Sequence, residues 1–152
     1  MFKWLRKAGK PSGYPKEAGR VSELGVPSGG GDAIKWFRKA AEKGTSWGQL
    51  NLGIRYARGD GVPQDYAEAI KWFHKAADQK DAMSQYYLGE MHEKGLGVPV
   101  DQVKAYQWYC LAASQGIREA EDARRRLQNN LTLEQMADGQ AHPIPSVPKK
   151  SA

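Results

Sequence analysis

Three tryptophans, Trp36, Trp72 and Trp108, stand 36 residues apart, and their surroundings repeat with them. Residues 33–44 read AIKWFRKAAEKG, 69–80 read AIKWFHKAADQK, and 105–116 read AYQWYCLAASQG. Leu52-Gly53 returns as Leu88-Gly89, and GDGVPQD at 59–65 returns as GLGVPVD at 95–101. Gly25-Val26-Pro27 precedes Gly61-Val62-Pro63 by the same interval. A period of this length marks a helical array, because one such unit cannot bury its apolar face alone.

Each unit divides into two antiparallel helices. The first complete unit places helix A at about 46–58, ending at Gly59, and helix B at about 66–79. Asp65 is positioned to cap helix B, as Asp101 is in the next unit. The GDGVP link turns the chain tightly between them. At 100° per residue, Tyr66, Ala69, Ile70, Trp72, Phe73, Ala76 and Ala77 share one arc of about 160°. The aromatic pair of each helix B therefore lies on the apolar face, with Trp72 at its edge. Read alone, Trp36-Phe37 is either a ligand platform or core. Its recurrence at 72–73 and 108–109 favours core.

The motif residues resemble the Sel-one-like repeat (SLR) family of the tetratricopeptide superfamily. The first complete unit matches at Gly48, Leu52-Gly53, Tyr56, Gly59-Asp60-Gly61-Val62, Asp65 and 69–77. The next matches at Ser84, Leu88-Gly89, Gly95-Leu96-Gly97-Val98, Asp101 and 105–113, with His92 where the motif has Tyr. The resemblance covers about 25–117. It implies an all-α, right-handed α/α solenoid of helix-turn-helix repeats with a 36-residue period. It also implies a non-catalytic, protein- or peptide-binding scaffold or adaptor that uses its concave face. Some secreted, disulfide-rich relatives are linked to β-lactam binding or hydrolysis. Cys110 is the single cysteine of this chain, so it lacks their paired cysteines.

Departures from the repeat define the ends. After Gly116 a third helix A begins with Ala120 at the small position, but Arg124-Arg125 replaces Leu-Gly, so the array is expected to stop there. A final helix is expected at about 133–140, with Thr132 and Gln135 forming a capping box. At the front, the stretch equivalent to helix A contains Pro11, Gly13, Pro15 and Gly19, which exclude a regular helix. The first unit thus keeps helix B, at 33–43, and has lost helix A. Gly29-Gly30-Gly31 is expected to loosen its start. Trp36 and Phe37 are then expected to form a less covered aromatic face. It is either overlaid by the arm or open to another chain, including a second copy in a homodimer. The resulting organisation is a basic, Gly/Pro-rich arm at 1–24, a repeat domain at 25–141, and a Pro-rich tail at 142–152 expected to be disordered.

The 152 residues carry a formal charge of +6. Residues 1–20 hold a net +5 and 143–152 a net +2, which leaves −1 for the body. A nucleic-acid groove in the body is therefore disfavoured. Contact with nucleic acid or an anionic membrane is confined to the arm, where Phe2, Trp4 and Leu5 interleave with Lys3, Arg6 and Lys7. No run reaches the roughly 18 apolar residues of a membrane span, and no apolar signal core follows the basic start. Together with the unpaired cysteine, this leads to an expected cytoplasmic location.

His74, His92, His142 and Cys110 make no metal-ligand spacing, and no metal or cofactor is expected. A Cys–His nucleophile pair is conceivable in principle. However, His74 falls on the polar face of helix B and His92 replaces a core tyrosine, so structural roles are expected instead. The groove then carries the functional reading. Opposite the packing side of helix A lie Trp47, Asn51, Ile54 and Arg58 in one unit and Met83, Tyr87, Glu90 and Lys94 in the next. Glu119, Ala123 and Arg126 continue the line. Aromatic residues, Met and Arg are enriched where partners bind.

Overall fold

The structure is a computed structural model that describes residues 30–141, with side chains placed from 33 to 138. The arm at 1–24 and the tail at 142–152, with His142, lie outside the described residues. Seven helices follow one another: α1 (Gly30–Glu42), α2 (Ser46–Arg58), α3 (Tyr66–Ala77), α4 (Ala82–Lys94), α5 (Gln102–Ser114), α6 (Arg118–Gln128) and α7 (Leu133–Ala141). Each of the first five packs on the next, and α7 folds back onto α5. This neighbour-to-neighbour packing is that of a right-handed helical solenoid. Helices α2 and α4 are the A helices of the two complete units, and α3 and α5 are their B helices.

Helix starts are set by side chains that take orphan backbone N–H groups. Asp65 accepts from Glu68 N and Asp101 from Lys104 N, both at 3.0 Å. The A helices are capped as well, by Thr45 at 3.3 Å from Gly48 N and by Asp81 at 2.7 Å from Ser84 N. Gly59 and Gly95 close α2 and α4 in the left-handed conformation, with φ 72° and 69°. The Thr132–Gln135 box is present in both directions, at 2.9 and 3.2 Å, and α7 follows it as expected.

Two boundaries differ from the sequence reading. Helix α3 ends at Ala77, two residues early, because Lys80 turns into the left-handed region at φ 63°. Helix α1 begins within the glycine run, at Gly30. Glycine weakens a helix least in its first turn, where the N–H groups have no intrahelical partners in any case.

The repeat is most legible in the packing of A against B. A Cβ on Gly53 would stand 2.7 Å from the Phe73 ring, and one on Gly89 would stand 2.7 Å from the Tyr109 ring. Glycine at these positions lets the helix pairs close onto an aromatic side chain. The central core gathers Ile54, Phe73, Tyr87, Leu88, Met91 and Trp108. Phe73 stacks on Tyr87 at 4.9 Å and 9°, which joins the first complete unit to the second. Ala105, Tyr109, Ala112, Ala120 and Leu127 form the terminal core, against which Leu131 and Met136 pack. Arg125 stands where Leu-Gly would continue the pattern. It is exposed and paired with Glu121 at 2.9 Å, and no further unit stacks there among the described residues.

Candidate functional site

Tested against burial, the line read from helix A splits in two. Arg58 and Lys94 are exposed, and Trp47 and Asn51 are half-buried. Ile54, Met83 and Glu90 are buried, and Tyr87 has no exposed surface at all. These four are corrected from groove to core as far as direct surface contact is concerned. The cause is geometric: α2 packs against both α1 and α3, and α4 against both α3 and α5, so most of each circumference faces a neighbour. In the third unit Ala123 is buried, Glu119 half-buried and Arg126 exposed. The accessible residues of the line are therefore Trp47, Asn51, Arg58, Lys94, Glu119 and Arg126, with Tyr86 half-buried beside them.

Polar ties fix this surface to the core. Lys94 is bonded to the buried Glu90 through one carboxylate oxygen. Glu93 receives the Tyr109 hydroxyl and the Arg126 guanidinium, each at 2.6 Å, which links α4, α5 and α6. Burial and the hydrogen bond to Glu93 push the Tyr109 pKa well above its ordinary value. Burial, with nearby Glu90, Glu119 and Glu93, raises Tyr86 to about 12. Both phenols are therefore neutral donors at physiological pH.

The expected open aromatic face is corrected in part. Phe37 is buried, and Trp36 is half-buried. Trp47 reaches back from α2 to meet Trp36 edge-on at 4.9 Å and Phe37 at 5.4 Å. The Arg55 guanidinium covers the Phe37 ring at 5.4 Å. Trp47 thus does double work, with one part of the ring in the α1–α2 packing and the remainder at the surface.

Among the described residues, neither His74 nor His92 is among the groups that act on Cys110. Cys110 is half-buried, and burial raises its thiol pKa. The groups that act on it are Tyr106, Arg124 and Glu121. His74 is half-buried and lies edge-on to Trp108, where the helical wheel had assigned it to the solvated face. Among the described residues no cluster of three metal-ligating side chains is present. No described helix is long and apolar enough to cross a membrane.

One repeated feature was missed by the sequence reading. Gln79 Nε2 donates to Gln49 Oε1 at 2.8 Å, and Gln115 Nε2 donates to Gln85 Oε1 at 2.7 Å. These are the same bond 36 residues apart, tying the end of each B helix to its own A helix. The signal was available, since Gln49/Gln85 and Gln79/Gln115 both keep the period.

Fold and register together define a tetratricopeptide-like scaffold of short helical hairpins. The family model described as the Sel1 repeat matches residues 22–45, 48–81 and 82–117, and the chain belongs to this family, whose repeats typically mediate protein interaction. Among solved structures it is similar to c5321, a protective antigen present in uropathogenic Escherichia coli strains and displaying an SLR fold. The identity is 34% and the TM-score 0.73, over 81% of this chain and 27% of that one. It is also similar to a Sel1 repeat protein from Oxalobacter formigenes, at 37% identity and a TM-score of 0.61, over 66% of this chain and 41% of that one. The chain thus spans well under half the length of either structure. No curated protein matches.

Proposed function

We propose that the protein is a binding scaffold that engages a protein or peptide along the concave side of its A helices, at Trp47, Asn51, Arg58, Lys94 and Arg126. One observation carries this reading. Arg58 and Lys94 stand 36 residues apart in the same register of successive A helices and are both exposed, and the exposed Arg126 of the next helix is tied back to α4 through Glu93, although most of each helix is committed to packing. Stacked hairpins offer such an aligned surface for an extended partner. Exposed Arg side chains and the accessible part of an indole supply charge-assisted hydrogen bonds and apolar contact there.

The test is quantitative capture of partners from the native cell extract by wild type and by Asn51→Ala combined with Arg58→Glu. Neither change removes a core side chain, since Asn51 Nδ2 bonds only to the local Trp47 carbonyl at 2.8 Å. The double variant is expected to keep the wild-type melting temperature and to lose most of the captured partner. Undiminished capture would remove the concave side from the account.

A further inference from the structure

The joints between units share the 36-residue register of the units, so they can be compared side chain by side chain. At the first joint, Arg38 on α1 donates through Nη2 to the Tyr56 hydroxyl at 2.9 Å. Their equivalents at the next joint are His74 on α3 and His92 on α4. The two imidazoles act on each other electrostatically. The His74 ring meets Trp108 with centroids 5.5 Å apart and planes at 66°. Nδ1 of His92 and Nε1–H of Trp108 are buried and have no hydrogen-bond partner in the protein. A permanently charged donor and a neutral acceptor have thus been replaced by two titratable rings, one of them, His74, packed edge-on against an indole.

The charged groups that act on the pair come from the end of α3 and the start of α5. Asp78 at the end of α3 favours a proton on His74. Asp101 at the cap of α5 favours one on His92, while Lys104 on α5 opposes it. Burial is the dominant influence on both rings, and it disfavours the charged form.

We propose that the joint between the two complete units is a pH-responsive seam, in which neutral His74 and His92 hold α3 against α4 around Trp108 and their protonation loosens that contact while the Arg38–Tyr56 joint stays closed. The direction follows from linkage. Both folded imidazoles titrate below the ordinary value of 6.5. As pH falls below that value, the unfolded chain takes up more protons than the native one. The stability these rings contribute is therefore full above pH 6.5 and is lost as pH drops toward the lower folded values.

The experiment transplants one joint into the other. Urea midpoints of wild type and of His74→Arg with His92→Tyr are compared between about pH 7.5 and about pH 5. Wild type is expected to lose clearly more of its midpoint over this range than the variant, and equal losses overturn the proposal. Should the variant fail to fold, the wild-type protein decides by NMR. Both imidazoles are expected to titrate below 6.5. Amides of α3 and α4 are expected to lose exchange protection on acidification before those of α1 and α2. Titration of either ring at or above that value, or equal loss of protection at both joints, contradicts it.

Discussion

Lys80 occupies the position that Gly44 and Gly116 hold in the neighbouring units, and all three take positive φ, at 63°, 87° and 91°. An L side chain in the left-handed region is strained by roughly 1–2 kcal/mol, offset in part by the greater entropy of glycine in the unfolded chain. Lys80→Gly is therefore expected to raise stability by about 0.5–1 kcal/mol, read as a higher urea midpoint at unchanged slope. Gly53 and Gly89 carry the opposite expectation. Their Cβ atoms would enter the rings of Phe73 and Tyr109, so each glycine-to-alanine change should destabilise by about 1–3 kcal/mol. If Gly53→Ala left the melting temperature unchanged, the close approach of α2 to α3 would not be what the glycine serves. Tyr87 shows how a residue-level inference goes astray. Its register on helix A matched a surface line, but the stacking of Phe73 against it settles its place in the core.

At the scale of helices, much of the architecture could be read before any coordinates. The 36-residue period, the caps at Asp65 and Asp101, and the Thr132–Gln135 box placed α2, α3, α5 and α7 within a residue or two, because each signal is local and periodic. The surface line was less legible. A helical wheel gives one helix two sides, whereas α4 has neighbours on both. Which of Ile54, Met83, Tyr87 and Glu90 would be covered depended on how α1, α3 and α5 pack around α2 and α4, and a single helix does not encode that packing. The glutamine bridges are non-local polar contacts, invisible to an apolar wheel. Because Gln49 is buried, the Gln79–Gln49 bond should contribute near the usual 0.5–1.5 kcal/mol. A double-mutant cycle of Gln49→Ala and Gln79→Ala is expected to show coupling of that order. Additive losses would make the bridge incidental.

The whole molecule is a short run of units with different ends. Arg125 and α7 close one end, and α1, without its own A helix among the described residues, presents Trp36 at the other. Nearest-neighbour coupling makes the stability of such an array a sum over joints, so weakening one joint should split its cooperativity before it unfolds the whole. Function at this scale depends on the A helices acting as one surface. The most direct measurement is the affinity of a captured partner for two sets of surface variants, one on the inner line and one on the B helices. Arg58→Glu with Asn51→Ala represents the first set and Lys71→Glu with Lys104→Glu the second, all at sites with exposed or half-buried side chains. The account predicts at least about a tenfold loss of affinity, near 1.4 kcal/mol, for the inner pair and little change for the outer pair. Equal losses for both pairs, or a loss confined to the B helices, would contradict it.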